Sequence, residues 1–455
     1  MIKRFIDKLS SSGQKASRTT IPAADHPMSV DDISPFALEV CDKLRDEGYE
    51  AYIVGGCVRD ALLGMEPKDF DVATNATPDQ VKRLYRRARI VGRRFQIVHV
   101  QNRQETIEVT TFRGHHDNAD QSKRKTHRGE PLARKSGKGM LTRDNVFGSV
   151  EEDAMRRDFS CNALYFDTDT EEIVDFVGGV DDLNKGLLRT IGDPAKRFRE
   201  DPVRMLRAIR FQAKLGLNLD KASQKQLIAN AALIREVSPA RLFDEVIKLL
   251  LHAKSSRAFD LFRQSGIFAS LFPMSFEETA KNSQLNRMLE VAMQHTEGRL
   301  GIGKGVSPFY LYATLLWPAI VPRYEQQLAK NEPPARAMDK AASSVLSDQV
   351  SIVSIPKRFS ISMRDTWYLQ TQLHRRHGHR ATKLVENSKF RAGYDFILMR
   401  EESGENLDGL GAWWTEYQRA NTESRQEMVD RLGSPAKKKR RRGGRRKSPN
   451  KPNAS

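Results

Sequence analysis

The spacing of apolar residues divides the chain into a mixed first part and a helical second part. Short apolar runs predict strands near residues 52–54, 70–73, 96–101, 106–112, 163–167 and 173–176. Helices are predicted around the early strands, the first from the helical spacing of Ile33, Phe36, Ala37, Val40, Cys41 and Leu44. After about residue 191 the helical period continues to about residue 420. The pattern predicts an α+β fold, with an N-terminal mixed α/β head followed by an all-helical neck and body.

Changes in this pattern set the expected domain boundaries. A chain of 455 residues is too long for one typical core. We expect a flexible N-terminal segment over 1–32, a head over 33–190, a neck over 191–275, a body over 276–420 and a disordered basic tail over 421–455. Within the head, the stretch 114–139 is polar, basic and rich in Gly and His, which predicts a mobile loop.

Charge and composition narrow the class of protein. The formal net charge of +18 favours a polyanionic partner such as nucleic acid or anionic lipid, and nine of the basic residues lie in the run Lys437–Lys447. No stretch of about 18 uninterrupted apolar residues occurs, so no membrane-spanning helix is expected. Residues 1–30 lack the apolar core of a secretory signal. Cys41, Cys57 and Cys161 form no zinc pattern and favour a reducing cytoplasm.

Two aspartates belong to the second predicted strand and its edge. Residues two apart on a strand point to the same face, so Asp69 and Asp71 are expected to project together, with Phe70 turned into the core. Such a carboxylate pair can bind two divalent ions about 3.5–4 Å apart, which activate a hydroxyl and stabilise departing pyrophosphate. Magnesium suits this site because it is a hard ion that takes carboxylate and phosphate oxygens.

A glycine pair precedes these aspartates. Gly55 and Gly56 stand between a predicted strand and a helix, where backbone N–H groups can approach a phosphate closely. Arg59, one turn into that helix, can reach phosphate oxygens with its guanidinium. The Lys-Ser/Thr of a Walker A loop is absent. Taken alone, a Gly-Gly or an Asp-x-Asp is most often a surface turn, so the signal is their combination at this spacing.

Together, segments 55–64 and 68–72 resemble the head motif of class II nucleotidyltransferases in the DNA polymerase β superfamily. That family contains bacterial poly(A) polymerases and CCA-adding tRNA nucleotidyltransferases, and the resemblance spans roughly residues 34–420. It implies a nucleotidyltransferase head, two Mg²⁺ ions held by Asp69 and Asp71, and a nucleoside triphosphate as substrate. The implied reaction is template-independent transfer of a nucleoside monophosphate to an RNA 3′ end.

Two further segments of the head match the family. Residues 156–164 resemble its Arg-Arg-Asp-Phe-Thr-x-Asn motif, with Ser160 in place of the usual Thr. The resemblance implies that Arg157 and Asn162 contact the nucleotide and that Asp158 belongs to the active site. Residues 176–183 resemble a flexible hinge between head and neck, although an ordinary glycine turn explains that segment equally well.

The segment 200–211 resembles the family's nucleotide-selecting helix. Asp201 and Arg204 lie one turn apart, so an acceptor and a donor fork can read a base edge, and the resemblance implies that they act as a protein template for the incoming base. Arg207 and Arg210 continue the basic stripe, which relatives use on phosphates. The alternative for this segment alone is an amphipathic helix with exposed arginines.

A third catalytic carboxylate is expected beside the Asp69 and Asp71 pair. Glu108 has the right strand context and could orient the metals or accept the proton of the 3′-hydroxyl. Asp158 competes for an assisting role. The sequence does not rank the two residues.

The branch of the family is indicated by segment 90–100, which resembles the signature that separates bacterial poly(A) polymerases from CCA-adding enzymes; segments 112–116, 143–149 and 355–359 agree. This branch implies transfer of AMP from ATP to RNA 3′ ends with release of pyrophosphate, in support of RNA processing and decay. Its implied partners are mRNA, small regulatory RNA, tRNA precursors and RNA-decay accessory proteins, in the cytoplasm. The alternatives are a CCA-adding tRNA nucleotidyltransferase and an RNA-binding scaffold with an inactive head.

Basic clusters in the last third of the chain are the RNA-binding candidates. They are Arg375, Arg376 and Arg380 in the body and Lys437, Lys438, Lys439, Arg440, Arg441 and Arg442 in the tail. Lys and Arg bind the phosphate chain without reading its sequence. The body also contains the four tryptophans Trp317, Trp367, Trp413 and Trp414, which can stack on unpaired bases but more often belong to a core.

Overall fold

A computed structural model describes residues 18–92, 95–114, 133–135 and 141–433. The chain divides into two compact units, one of Met1–Ala319 with Val345–Lys357 and one of Ile320–Ser344 with Arg358–Ser455. The first unit carries a mixed α/β head and the helices that follow it. In the second unit the described residues are largely helical. The predicted fold class is confirmed, and the predicted boundaries between head, neck and body stay predictions.

An eight-stranded sheet in the order β1-β10-β9-β2-β3-β6-β5-β4 forms the centre of the head. Its strands are β1 (Thr19–Ile21), β2 (Ala51–Val54), β3 (Asp71–Thr74), β4 (Ala88–Val91), β5 (Ile97–Gln101), β6 (Thr106–Thr111), β9 (Leu164–Phe166) and β10 (Ile173–Asp175). All neighbours are antiparallel except β3 and β6, which are parallel. Two small sheets pair β7 (Ala133–Lys135) with β8 (Leu141–Asp144) and β11 (Leu187–Leu188) with β12 (Asn218–Leu219).

Apolar side chains cover both faces of the central strand β3. Val72 and Ala73 point to opposite faces, and both are fully buried. Helix α1 (Pro35–Asp46) packs on one face through the apolar stripe that the sequence predicted. Ser34 caps the helix, and its side chain accepts a hydrogen bond from the N–H of Ala37. The other face carries a core cluster that includes Phe112 and Tyr165. Strand β3 is therefore enclosed from Val72 to Thr74, and only its first residue, Asp71, is partly exposed.

The remaining helices of the head start at recognisable caps. They are α2 (Gly56–Leu62), α3 (Pro78–Leu84), α4 (Val150–Arg156) and α5 (Gly179–Asn184). A capping box opens α3 at Thr77 and Gln80 and another opens α4 at Ser149 and Glu152. Gly55 precedes α2 with a φ of +85°, a conformation that a residue with a Cβ adopts only under strain.

The helices after the head continue the first unit and then form the second. They are α6 (Pro194–Glu200), α7 (Val203–Leu215), α8 (Lys221–Ala229), α9 (Pro239–Leu250), α10 (Ser255–Gln264), α11 (Ile267–Leu271), α12 (Pro273–Lys281), α13 (Ser283–Gly301), α14 (Pro308–Ala329), α15 (Pro334–Gln349), α16 (Lys357–Gln372), α17 (Arg380–Val385), α18 (Phe390–Glu402), α19 (Leu410–Arg419) and α20 (Thr422–Asp430). Within the described residues, no helix combines the length and apolar character needed to cross a membrane.

Tryptophans belong mainly to the cores. Trp317, Trp367 and Trp414 are buried, and the indole N–H of Trp414 donates to the carbonyl of Leu373 at 3.0 Å. Trp413 is partly buried and stacks on Tyr417 with ring centroids 4.8 Å apart. Three of the four tryptophans are therefore unavailable to stack on bases.

Three segments predicted to lack regular structure contain some. Strand β1 lies within the predicted flexible segment 1–32 and pairs with β10. Strand β7 lies within the predicted loop 114–139 and pairs with β8. Helix α20 lies within the predicted disordered tail 421–455, and Asn421 caps it. These expectations were wrong for those residues, because pairing and capping partners can organise polar segments that show no apolar period. Residues 1–17, 93–94, 115–132, 136–140 and 434–455 lie outside the described residues.

Candidate active site

The carboxylates of the head meet where β3 and β6 run side by side. Strand β3 begins at Asp71, so Asp69 precedes the strand and the expected two-residue alternation does not apply to it. Asp71 is paired in register with Glu108, and paired residues of neighbouring strands project to the same face. Burial raises the pKa of Asp71 to about 6, and repulsion from Glu108 and Asp69 adds to the rise while Arg157 opposes it. Three carboxylates and one guanidinium therefore share one electrostatic neighbourhood.

Glu108 lies between Asp71 and His99. Its Oε1 is 3.4 Å from Nε2 of His99 on β5, and its side chain is half exposed. Asp158 instead accepts hydrogen bonds from Arg207 and Asn162. Of the two residues left open by the sequence, Glu108 is thus the one placed beside the aspartate pair.

The donor set suits magnesium in its chemistry. Asp69, Asp71 and Glu108 offer only oxygen ligands, and a divalent cation would relieve the repulsion that raises the pKa of Asp71. Among the described residues, however, no group of three or more His, Cys, Asp and Glu side chains is already drawn together as a metal site. The three carboxylates fit the ion chemically, and their side chains would have to change conformation to bind it together.

The Gly55 turn lies against a guanidinium. A Cβ added to Gly55 would come within 3.3 Å of Nη1 of Arg157. The backbone N–H of Gly55 donates to the carbonyl of Leu164 at 3.2 Å, so the turn is tied to β9. A Cβ on Gly56 would make an ordinary contact of 3.5 Å with Arg59. The structure thus gives a physical reason for glycine at 55, through φ and through space, and a weaker one at 56.

Arg59 is buried and already bonded to protein groups. Its Nε donates to Asp60 at 2.8 Å, its Nη1 donates to Asn162 at 2.5 Å, and its guanidinium lies 5.2 Å from the ring centroid of Phe211. Arg59 therefore links α2 to Asn162 in segment 156–164 and to Phe211 on α7. Its predicted phosphate contact stays a prediction.

Asp158 is held in the charged form by its neighbours. Its Oδ2 accepts from Nε of Arg207 at 2.5 Å and its Oδ1 accepts from Nδ2 of Asn162 at 3.1 Å. Burial works to raise its pKa, but Arg207 and these hydrogen bonds lower it to about 2. Asn162 therefore bridges Asp158 and Arg59.

Arg157 is surrounded by groups that the sequence did not single out. Its Nε donates to Asp153 at 3.1 Å and to the hydroxyl of Tyr165 at 3.0 Å, and its Nη1 donates to the carbonyl of Asn162 at 3.2 Å. Asp153 precedes Arg157 by one helical turn, a spacing that signals ion pairing in a helix. Nothing in the sequence pointed to Tyr165.

The two template candidates are bound to different partners. Both carboxylate oxygens of the buried Asp201 accept from Arg241 on α9, at 3.0 and 3.1 Å. Arg204 donates from Nη1 to the carbonyl of Arg197 at 2.8 Å. The backbone N–H of Arg204 donates to the carbonyl of Asp201 at 3.0 Å, so the two residues are adjacent as expected. Arg241 lies 40 residues beyond Asp201, and no local pattern marks it.

Three guanidinium groups lie around the ring of Phe211, which is on the same helix as Arg204. Those of Arg59, Arg207 and Arg210 each lie 5.2 Å from its ring centroid. Burial lowers the pKa of Arg210, and repulsion from Arg207 adds to this. Such crowding of like charge is relieved by an anion, and guanidinium forks match phosphate oxygens.

The RNA-binding candidates of the body lie in the second unit. Arg375 and Arg380 are exposed, whereas Arg376 packs with its guanidinium 5.2 Å from a ring centroid of Trp413. Burial lowers the pKa of Arg376. The tail candidates Lys437, Lys438, Lys439, Arg440, Arg441 and Arg442 lie outside the described residues.

Comparison with known proteins decides the family. Three family models match: the poly(A) polymerase head domain over residues 51–189, the probable RNA- and SrmB-binding site of polymerase A over 216–277, and the polymerase A arginine-rich C-terminus over 330–448. A poly(A) polymerase I of Salmonella typhimurium is 41% identical over 438 residues, which cover 95% of this chain and 92% of that protein. The chain belongs to the bacterial poly(A) polymerase I family. These enzymes are polynucleotide adenylyltransferases, and the expected recognition and enzyme class are confirmed.

Other relatives show how far each likeness extends. The poly(A) polymerase I of Haemophilus influenzae is 41% identical over 452 residues, covering 97% of this chain and 98% of that protein. A CCA-adding enzyme of a Geobacillus species is 38% identical over 235 residues, only 52% of this chain and 54% of that enzyme. Likeness to poly(A) polymerase I therefore runs through nearly the whole chain, and likeness to this CCA-adding enzyme through about half.

Solved structures support the fold. A tRNA-processing enzyme in an apo form aligns with a TM-score of 0.57 at 21% identity, over 90% of this chain and 98% of that one. A complex of a CCA-adding enzyme with ATP aligns with a TM-score of 0.55 at 17% identity, over 90% of this chain and 89% of that one. At these identities the similarity establishes the shared nucleotidyltransferase architecture.

Proposed function

We propose that this protein adds AMP residues from ATP to RNA 3′ ends without a template and releases pyrophosphate. The observation that carries the proposal is the 41% identity to poly(A) polymerase I over 95% of the chain, whereas the CCA-adding enzyme of the Geobacillus species matches over 52% of it. The candidate substrates are mRNA, small regulatory RNA and tRNA precursors, and the proposed location is the cytoplasm. RNA-decay accessory proteins are the proposed partners, in support of RNA processing and decay.

The proposed chemistry is an in-line displacement at the α-phosphorus of ATP. The bond from the 3′-oxygen of RNA to the α-phosphorus forms while the bond from that phosphorus to the bridging oxygen of pyrophosphate breaks. Two Mg²⁺ ions held by Asp69 and Asp71 would activate the hydroxyl and neutralise the leaving pyrophosphate. Glu108, in register with Asp71, is the proposed acceptor of the hydroxyl proton or an orienting group for the carboxylates.

The other candidate residues bind the nucleotide in this proposal. The Gly55 and Gly56 backbone and the guanidinium of Arg157 face the triphosphate. Asp158 and Asn162 hold Arg207 and Arg59 in place, and the crowd of Arg59, Arg207 and Arg210 attracts phosphate. Asp201 and Arg204 select the base by hydrogen bonding to its edge.

The test is to incubate the purified protein and Mg²⁺ with an unstructured RNA and with each nucleoside triphosphate separately. Long ladders with ATP alone are the expected result. Addition of only a few residues, with CTP used on tRNA, would instead support the CCA-adding alternative. RNA binding without transfer of any nucleotide would support a scaffold with an inactive head.

A further inference from the structure

A closed network of three polar side chains lies behind the Gly55 turn. Tyr165 on β9 donates its hydroxyl hydrogen to Oδ2 of Asp153 on α4 at 2.7 Å. Arg157 donates from Nε both to that carboxylate oxygen at 3.1 Å and to the hydroxyl oxygen of Tyr165 at 3.0 Å. Each group thus contacts the other two. Tyr165 is fully buried and Asp153 is 5% exposed, while the side chain of Arg157 is 21% exposed, so water has little access to these bonds.

The network fixes one edge of the guanidinium and leaves the other directed toward the site. Its Nε edge is held by Asp153 and Tyr165, and its centre lies 5.2 Å from the ring centroid of Tyr165. At the other end, Nη1 is 3.3 Å from the position of a Gly55 Cβ. The charge of Arg157 also opposes the rise in the pKa of Asp71. The Nη1 end of Arg157, which also donates to the carbonyl of Asn162 at 3.2 Å, therefore lies beside the glycine turn and acts on the carboxylate of Asp71.

Holding the guanidinium of an arginine in place before the nucleotide arrives favours both nucleotide binding and transfer. A free arginine side chain loses rotamer entropy when it is ordered. If that ordering is complete before the nucleotide arrives, the cost does not weaken binding, and the charge is in place when the phosphorus is attacked. A purely structural ion pair would need only Asp153, whereas here a tyrosine hydroxyl closes the third side.

We propose that Asp153 and Tyr165 are positioning residues for the transfer reaction. They hold the guanidinium of Arg157 in the orientation that receives the triphosphate of the nucleotide. This inference rests on the proposed function, because it assumes that Arg157 contacts the nucleotide. It adds two residues that act through Arg157 and do not touch the reacting atoms.

Tyr165→Phe is the first variant, because it removes one hydroxyl and keeps the ring against the guanidinium. We expect the Kd and the KM for ATP to rise about tenfold to a hundredfold, the effect of losing one hydrogen bond to a charged group, while RNA affinity stays unchanged. Tyr85→Phe is the matched control, since its buried hydroxyl donates to the carbonyl of Val40 at 2.9 Å on the opposite side of the sheet core. It should leave ATP binding unchanged.

A double-mutant cycle separates positioning from general stabilisation. In an Arg157→Met background, Tyr165→Phe should change the Kd for ATP by less than about twofold, because the group that it positions is gone. Equal effects in both backgrounds, or a Tyr165→Phe variant that behaves like Tyr85→Phe, would overturn the proposal. Direct titration with ATP gives this answer even if the wild-type protein transferred no AMP to RNA, a result that would reject the proposed function alone.

Asp153→Asn is the second variant for the same network. Asp153 also accepts from the backbone N–H of Arg113 at 3.1 Å, so this substitution loosens the end of β6 as well. Thermal unfolding of each variant therefore accompanies the ATP titrations. An Asp153→Asn protein that stays folded should lose ATP affinity by at least as much as Tyr165→Phe, and unchanged affinity would contradict the proposal.

Discussion

At the scale of residues, several candidate nucleotide contacts are bound to a second polar group of the protein. Asn162 accepts from Arg59 through its Oδ1 and donates to Asp158 through its Nδ2. Asp158 in turn accepts from Arg207. Charged groups bound in this way keep their positions without substrate, which lowers the ordering cost when substrate binds. Asp71 is the exception, since the groups nearest to it include two further carboxylates.

Asp71→Asn should abolish AMP transfer and stabilise the fold in the absence of metal. Activity is lost because an amide is a poor ligand for Mg²⁺. A carboxyl whose pKa is raised on folding, here to about 6, binds its proton more tightly in the folded state. Relative to the variant, the free energy of unfolding of the wild type is therefore highest below about pH 4. It falls by about 1–3 kcal/mol as the pH rises through about 6.

The measurement is denaturant unfolding of both proteins in a chelator at pH 4 and pH 8, together with single-turnover transfer. Asp69→Asn is the control, because the side chain of Asp69 is exposed. It should lose transfer and gain less stability than Asp71→Asn, because it relieves only the repulsion between the two aspartates and not the burial of a charge. A wild type that is equally stable relative to Asp71→Asn at both pH values would contradict the electrostatic explanation.

At the scale of elements, the site depends on turns and helix ends that hold side chains from different strands. The turn at Gly55 joins β2 to α2 and is bonded to β9, while Asp201 at the end of α6 is bonded to α9. Both are short connections whose backbone shape is set by a few residues. Substitutions there should act on the site through geometry.

Gly55→Ala should cost stability and activity together. The combination of φ +85° and ψ −120° lies outside the left-handed helical region and is strained for a residue with a Cβ, and that Cβ would press on Arg157. Gly64→Ala is the matched control: its φ is +69°, but a Cβ there would meet nothing within 4 Å. Both variants should lose stability in denaturant titrations, and only Gly55→Ala should lose more than about tenfold in kcat/KM for ATP. Equal activities would show that the contact with Arg157 is unimportant.

Arg241→Met should relax the preference for ATP. Asp201 would lose both of its hydrogen bonds to Arg241, and a displaced base-reading group costs about 1–3 kcal/mol of discrimination. The ratio of kcat/KM for ATP to that for CTP measures the effect, with Arg235→Met as an exposed control. A ratio that stayed constant while stability fell would leave Arg241 with a structural role only.

At the scale of the whole molecule, charge is distributed between the folded units and the end of the chain. The net charge is +18, and nine basic residues lie in Lys437–Lys447, within the match to the arginine-rich C-terminus. Basic side chains contact RNA phosphates regardless of sequence. The proposed catalytic and nucleotide-binding residues all lie before Pro239 on the chain.

Deleting residues 434–455 should weaken RNA binding and leave single-nucleotide addition at saturating RNA nearly intact. Each lost phosphate contact lowers the salt slope of log K for a single strand by about 0.7, so the loss of affinity should be large at low salt and small at high salt. A full-length control in which the nine basic residues of Lys437–Lys447 become Ser should behave like the deletion. Equal affinities and slopes in all three proteins would leave this segment without a role in RNA binding.

Local patterns in the sequence determined the fold class and the position of the glycine turn and aspartate pair. Helix α1 follows from its apolar stripe, and β2 and β6 from short apolar runs, because the periods of a helix and a strand can be read within a few residues. The same argument applied the strand alternation to Asp69, although the strand begins at Asp71. The first residue of a strand depends on its pairing partners, which are distant in the sequence. Strand β1 was missed because its pairing partner β10 lies more than 150 residues away.

The contacts that complete the candidate site were decided only by tertiary structure. Glu108 reaches Asp71 through strand register, Arg241 reaches Asp201 from another helix, and Tyr165 reaches Arg157 from another strand. A buried ion or hydroxyl needs a partner in space, and several arginines and tyrosines of the chain would serve equally well in a local pattern. Which of them meets the site depends on how the sheet and helices pack, and packing is a property of the whole fold.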